Sequence, residues 1–356
     1  MQTSHETGAG SMLDKNSLEY LFQRPAQVQL DITNECNLKC FYCYNSTSQL
    51  KEREMTDDEL RKVSKKIAEQ LNPVSVLFSG GEPFKRPAIL LELLRFFKEK
   101  GIEARINTNG TLITEDLVKA LMDADVDKVS INIESMDPSA HDRIRGIAGS
   151  YKAAMEALGL FKKYRMNSKV SISIVVSKMN LHDIEKVAEF VKENGFMSLH
   201  LLDMIPLSNT SMQHMLSKED WLYFEEIFKK INRIGIGIEP NHALLFLKGF
   251  ESSLPMPFCM AGRLKMVISV NGSIVPCNYF REKEFVAGNA LKDDLMDVWK
   301  NSEMMIKFRN FYPHECRSCP NGSYCAGGCR ALSYVLSKDA FVPDPYCSKY
   351  SLGKKT

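Results

Sequence analysis

All ten cysteines of this 356-residue chain fall into two spaced groups. Cys36-x3-Cys40-x2-Cys43 lies near the N-terminus; Cys259, Cys277, Cys316, Cys319, Cys325, Cys329 and Cys347 occupy the last quarter. Thiolates at such short spacings converge on metal, so the fold must be organised around metal centres as well as an apolar core. The first group is the more telling. It has no fourth cysteine close by and no histidine between His5 and His141, which makes a poor closed zinc site. On a cubane [4Fe–4S] cluster, three thiolates leave one iron open to an outside ligand.

Charge is nearly balanced, 46 basic against 44 acidic residues, so neither a nucleic-acid nor a membrane partner is expected. No apolar run approaches the length of a bilayer span, and nothing at the N-terminus has the order of a signal peptide. A cytoplasmic location follows, where reduced cysteines serve as metal ligands rather than disulfides. Residues 1–25 are read as a flexible tail.

From residue 26 to 206, strand-like runs alternate with helical periodicity. VQLDITN (28–34), VSVLFS (74–79), IEARINT (102–108), KVSINIE (128–134), KVSISIVVS (169–177) and SLHLLDMI (198–205) read as six strands. Between them, segments such as 57–71, 87–100, 114–124, 151–164 and 182–194 place apolar residues at i, i+3 and i+4. Thr56 with Glu59, and Thr114 before Glu115 and Asp116, are helix-start signals. The pattern predicts an α/β fold of six β/α units around a parallel sheet. Residues 207–258 read as a connecting helical segment, turn-rich at 206–220 and helical at 221–235, with 255–258 as a linker. Residues 259–350 form a cysteine-rich region, opened by a hairpin at 265–277 turning on Asn271-Gly272. A helix follows at 291–301, and a metal-folded loop over 316–329; residues 351–356 are a tail.

The chemistry gathers at the strand ends, where β/α proteins build active sites. Cys36, Cys40 and Cys43 follow the first strand, with the aromatic Tyr42 among them. Gly80-Gly81-Glu82-Pro83 follows the second: paired glycines let backbone approach a ligand, and Glu82 supplies a negative charge. Asn109 follows the third strand, Asn132 and Glu134 the fourth.

Together these motifs resemble the radical S-adenosylmethionine (SAM) superfamily, whose Cx3CxΦC signature with an aromatic Φ is matched by CNLKCFYC and whose GGEP strand end is matched at 80–83. The resemblance spans roughly residues 28–205 and implies a partial (β/α)6 barrel. It implies that Cys36, Cys40 and Cys43 ligate a [4Fe–4S] cluster, that Gly80, Gly81 and Glu82 hold the SAM amino group, and that Tyr42 lies against adenine. Asn132 and Glu134 stand where the family has ribose contacts; Asn109 and Arg145 are further polar candidates. The activity implied is reductive cleavage of SAM to a 5′-deoxyadenosyl radical that abstracts hydrogen from substrate.

The seven C-terminal cysteines, with Gly272, resemble the SPASM domain, which implies two auxiliary [4Fe–4S] clusters. Cys316, Cys319, Cys325 and Cys347 would hold one, and Cys259, Cys277 and Cys329 the other. Zinc is the alternative for the CRSC…C…C part alone. Sulfatase-maturing relatives carry an acidic base after the hairpin cysteine; here Asn278 stands there, and an amide is no base. With all ten cysteines assigned as ligands, none is spare as an epimerase's hydrogen donor. Roughly 25 residues before the first strand are too few for a fused leader-peptide-binding domain. The expected activity is oxidation or cross-linking of a peptide or protein side chain, by thioether or carbon–carbon bond formation, with an external reductant such as flavodoxin or ferredoxin. The alternatives are oxidation or decarboxylation of a small molecule such as a tetrapyrrole or cofactor precursor, and a non-enzymatic electron-transfer module. The Met212/Met215 region is read as packing or as one wall of a substrate groove.

Overall fold

The computed structural model describes residues 22–45, 53–240, 259–319 and 325–347. The expected linker at 255–258 and most of the two terminal tails lie outside them. The six expected strands form where the apolar runs place them. They are β1 (Gln27–Thr33), β2 (Ser75–Gly80), β3 (Glu103–Thr108), β4 (Lys128–Asn132), β5 (Val170–Val176) and β6 (Ser198–Asp203). All pair in parallel in sequence order.

The helices between them are α1 (Asp57–Lys66), α2 (Pro87–Glu99), α3 (Glu115–Asp123), α4 (Pro138–Arg145), α5 (Ser150–Lys163) and α6 (Ile184–Glu193). The Thr56–Glu59 capping box forms in full, and Thr114 caps α3 through the Leu117 amide. Then come α7 (Asn209–Gln213), α8 (Lys218–Ile234) and a seventh parallel strand, β7 (Gly237–Pro240), which sequence periodicity missed.

The cysteine-rich region opens with β8 (Lys265–Ile268) and β9 (Ser273–Val275), followed by β10 (Gly288–Asn289), α9 (Leu295–Asn301), α10 (Glu303–Asn310) and α11 (Arg330–Ser337). The β8–β9 turn is one residue longer than a two-residue loop. Ser269 closes it onto Ser273, and Gly272 takes the left-handed conformation at φ +84°. β8 pairs in parallel with β1, so one sheet runs β10-β9-β8-β1-β2-β3-β4-β5-β6-β7. Its ends do not meet: the barrel is partial, as the resemblance implied.

Alternation assigns the two faces. Val28, Leu30, Ile32, Val129, Ile131, Ile172 and Leu199 point to the helices and form the main core, which Met266, Ile268 and Ile274 of the hairpin join. The other face is polar: Ser130 bonds Ser173 at 2.8 Å and Ser171 bonds Ser198 at 2.6 Å. Lys128 reaches across to Glu239 of β7 at 2.6 Å. A polar lumen under the strand ends is what a polar ligand needs. Among the described residues no helix is long and apolar enough to cross a membrane.

Candidate active site

β1 ends at Thr33 and hands the chain to the cysteine loop, which two neighbours clamp. On one side is the glycine turn after β2. The Gly81 amide donates to Thr33 O at 2.6 Å and the Glu82 amide to Glu35 O at 2.8 Å. A Cβ on Gly80, at φ +117°, would stand 2.3 Å from Thr33 O, and one on Gly81 2.2 Å from Glu35 O. The glycines therefore admit the backbone of the cysteine loop, a nearer demand than the ligand approach read from sequence. On the other side is the C-terminus of α4, a helix not foreseen. Lys39 N donates to Arg145 O at 3.0 Å and Phe41 N to Ile144 O at 3.3 Å. These are carbonyls a helix end leaves unpaired. Gly146, at φ +74°, lets the Lys39 carbonyl come this close.

Cys36 is exposed; Cys40 and Cys43 are half-buried. Burial pushes the Cys40 thiol up to about 12 and also raises Cys36, against the pull of nearby Arg145. Leu38 N lies 3.4 Å and Asn109 Nδ2 3.8 Å from the Cys36 sulfur. Asn109 is set in place by Asn37 Oδ1 at 3.0 Å and by the Thr111 amide at 2.8 Å.

Glu82 is fully buried, and its carboxylate accepts from Thr108 Oγ1 (2.7 Å), Asn109 N (2.8 Å) and Phe84 N (3.1 Å). Burial raises its carboxyl, and these three bonds oppose that. The carboxylate braces the β2 and β3 loop ends, which leaves the Gly80–Glu82 backbone as the part able to face a ligand.

Tyr42, Asn132, Glu134 and Arg145 meet in one network. Glu134, fully buried, accepts at Oε1 from the Tyr42 hydroxyl, from Arg145 Nη1 (3.3 Å) and from Asn132 Nδ2 (3.4 Å), and at Oε2 from Val175 N (3.0 Å). Arg145 Nη1 also donates to Tyr42 Oη at 2.6 Å. Burial pushes the Glu134 carboxyl up. The Arg145 charge and the hydrogen bonds from Tyr42, Val175 and Asn132 oppose that rise. Glu134 thus orients Tyr42. Its Nδ1-accepting neighbour His141 takes the Glu134 amide at 3.2 Å and is held neutral, its pKa lowered to about 4 by burial.

The C-terminal cysteines separate into two sets. Cys259, Cys277 and Cys329 meet in an apolar cluster with Phe280, Phe285 and Phe308. Burial raises the thiols of Cys277 and Cys329, and the charge of Cys259 adds to both. Cys316 lies within electrostatic reach of Cys319, Cys325 and Cys347, and Cys325 of Cys347. Asp344 ties the two sets: Oδ2 accepts from Cys329 N at 2.8 Å, and its carbonyl from Cys347 N at 2.9 Å. Asn278 turns its amide oxygen to Lys265 (3.4 Å) and Cys277.

No three His, Cys, Asp or Glu side chains among the described residues are close enough to share one metal ion. A cubane spreads its thiolates over separate irons, so grouped cysteines that form no single-ion site, with backbone and amide donors at the Cys36 sulfur, fit that group.

Two residues that sequence reasoning missed join the cysteine groups. Asp31, fully buried on β1, pairs with Arg281 Nη2 at 2.6 Å. Arg281 also donates from Nε to Asn278 O at 3.0 Å, and its guanidinium lies 4.9 Å from the ring centre of Tyr44, next to Cys43. A lone acid inside an apolar strand was the available signal for Asp31; nothing local marked Arg281.

The profile of the radical SAM superfamily matches residues 30–191, and that of the SPASM iron–sulfur cluster-binding domain matches residues 259–320. The chain belongs to the radical SAM superfamily. It is a radical SAM enzyme with a SPASM domain, whose cofactors are SAM and [4Fe–4S] clusters. It is 29% identical over 354 residues to the AdoMet-dependent heme synthase of Methanosarcina barkeri, covering 93% of this chain and 98% of that protein. Against the AdoMet-dependent heme synthase of Nitratidesulfovibrio vulgaris it is 24% identical over 347 residues, 89% and 90% of the two chains. Among solved structures, native anSMEcpe with bound AdoMet superposes with a TM-score of 0.72 at 25% identity, covering 91% of this chain and 95% of that one.

Proposed function

We propose that this radical SAM enzyme abstracts hydrogen from a small organic molecule, with oxidation or decarboxylation as the outcome. The observation that supports this reading is the end-to-end similarity to heme synthases, which spans 98% of the M. barkeri protein. It promotes the small-molecule alternative above the peptide substrate expected from sequence. The enzyme works in the cytoplasm with an external reductant such as flavodoxin or ferredoxin.

In this proposal Cys36, Cys40 and Cys43 hold one cluster, Cys316, Cys319, Cys325 and Cys347 a second, and Cys259, Cys277 and Cys329 a third with one position open. Bound together, SAM and the first cluster supply reductive carbon–sulfur cleavage and a hydrogen-abstracting radical. The chain's own residues position and protect. The Gly80–Glu82 backbone receives the SAM amino group, with the Glu82 side chain fixing that backbone. Tyr42, steadied by Glu134 and Arg145, presents its ring to adenine, and Asn132, bonded to Glu134 through Nδ2, is the candidate for ribose. Asn109 donates toward the Cys36 sulfur. The buried walls keep water from the reacting carbon.

The test is anaerobic turnover of reconstituted enzyme with SAM and reductant, offered iron tetrapyrroles and peptides in parallel. The reading expects 5′-deoxyadenosine together with a tetrapyrrole product lighter by carbon dioxide or hydrogen. Modification of a peptide with the tetrapyrroles untouched would overturn it.

A further inference from the structure

A cation lies buried among the C-terminal cysteines: Arg330 is 2% exposed. Its guanidinium donates from Nη1 to Val342 O at 3.2 Å and from Nη2 to Ala326 O, and lies 4.9 Å from the ring centre of Phe311. All three partners are neutral. Buried Arg145 and Arg281 have Glu134 and Asp31, but no carboxylate among the described residues is within ion-pair distance of Arg330. Asp344, the buried acid of the same region, accepts at Oδ2 from the Cys329 amide and at Oδ1 from the Tyr346 amide, both at 2.8 Å. We infer that the cluster held by Cys316, Cys319, Cys325 and Cys347 supplies the counter-charge of Arg330, and that Arg330 in turn raises the reduction potential of that cluster. The inference rests on the ligand assignment proposed above and is independent of the substrate.

The surroundings make the charge harder still to hold. Arg330 is the first residue of α11, where the positive end of the helix dipole opposes a cation. A second buried guanidinium, Arg263, lies within electrostatic reach of it, bonded to Arg309 O at 3.1 Å and Phe311 O at 2.8 Å. Burial lowers the Arg263 pKa to about 10, with the Arg330 charge adding to that and Cys259 opposing it. A buried charge persists only where a nearby charge of opposite sign balances it.

The cysteine loop is folded around this guanidinium. Between Cys325 and Cys329, the Ala326 carbonyl receives Nη2, and a Cβ on Gly327, at φ +89°, would stand 2.5 Å from that same nitrogen. The charge of Arg330 reaches the Cys316 sulfur. A cubane with four thiolates is an anion, and its net charge and surroundings set its potential. In a poorly polarisable interior a fixed cation favours the more negative, reduced cluster far more than an exposed one could. A higher midpoint makes this cluster a readier electron acceptor.

The experiment uses the full chain carrying C36A/C40A/C43A, so that only the auxiliary clusters report. Reductive titration followed by electron paramagnetic resonance reads their midpoint potentials, beside iron and sulfide content. R330Q keeps a donor for the loop carbonyls but no charge. It should lower the equilibrium constant for reducing one auxiliary cluster by about tenfold or more, a midpoint fall of at least about 59 mV. R330K keeps the charge and should stay within about threefold of the parent. R317Q removes an exposed cation beside Cys316 and should move the midpoint far less, because water and salt screen it. A midpoint unmoved by R330Q, equal falls in R330Q and R330K, or R317Q matching R330Q would overturn the inference. Should R330Q lose a cluster that R330K retains, the charge is needed to hold it and the inference stands. Loss from both alike would assign Arg330 to the loop carbonyls and overturn it. The two readings fail separately. A C36A/C40A/C43A chain without any iron–sulfur cluster sinks the ligand assignment as well, whereas clusters at unmoved potentials sink the role of Arg330 alone.

Discussion

Replacing Arg145 by methionine should damage this protein more than replacing both Arg145 and Glu134. Glu134 is fully buried and only 7% of the Arg145 side chain is exposed, so each charge depends on the other. R145M leaves the buried carboxyl without its counter-charge, held only by Tyr42, Asn132 and the Val175 amide among the described residues. Breaking a buried pair from one side costs about 3–5 kcal/mol. E134Q keeps an acceptor oxygen but leaves a buried guanidinium without its counter-charge and turns an amide donor toward other donors, at roughly 2–3 kcal/mol. The double variant E134Q/R145M removes both charges and should cost about as much as E134Q alone, which gives a coupling of about 3–5 kcal/mol. Urea unfolding of the four proteins, matched for iron content and followed by circular dichroism, measures the cycle. SAM binding should weaken in both single variants, because Tyr42 loses its anchor. Single effects that add to within about 0.5 kcal/mol would refute the argument that these groups act as one electrostatic unit.

Three further outcomes follow from the geometry. G80A forces a Cβ against the Thr33 carbonyl at positive φ, so it should destabilise by roughly 3 kcal/mol and lower iron content, whereas G101A, which meets nothing within 4 Å, should leave iron content unchanged. R281M strands buried Asp31 and should cost about 3–5 kcal/mol, with D31N/R281M recovering much of that, read by thermal unfolding. His141, lowered to about 4 from an unfolded value near 6.5, binds its proton more readily unfolded than folded. Its contribution is therefore complete above pH 6.5 and is lost as pH falls toward 4. Between pH 7 and pH 5 the wild type should lose about 2 kcal/mol more than H141Q.

The β/α rhythm was legible because each strand of a helix-covered parallel sheet must be apolar where it meets the helices, and the intervening helices declare their own period. β7 was not, because GIEP carries glycine, proline and a charge in four residues and owes its pairing to β6 rather than to local propensity. α4 escaped for a related reason: PSAHDRIR shows little apolar stripe, and its value lies in its last carbonyls, which receive the cysteine loop. Spacing singled out Cys36, Cys40 and Cys43 as one group, whereas the division of the C-terminal seven came from resemblance and not from local spacing. The partners that set them in place were hidden. Asp31 and Arg281 stand 250 residues apart, and only the completed sheet brings them to 2.6 Å.

That pair shows how the second cysteine region is joined to the first. A tethered domain would meet the barrel through a separable surface. Here β8 instead adds to β1 with matched parallel register, Gln27 to Lys265 through Leu30 to Ile268. Hydrophobic residues of the hairpin enter the same core as the barrel strands. β1 therefore delivers the first cysteine loop from its C-terminal end while its free edge fixes the strand that leads, through the hairpin, to Cys277. Arg281 then bolts the two loops together just beyond the strands, over the ring of Tyr44. Two groups of thiols set on one continuous sheet cannot drift relative to each other without breaking ladder hydrogen bonds and a buried ion pair. The spacing between the two thiol groups is therefore set by strand addition at a barrel edge.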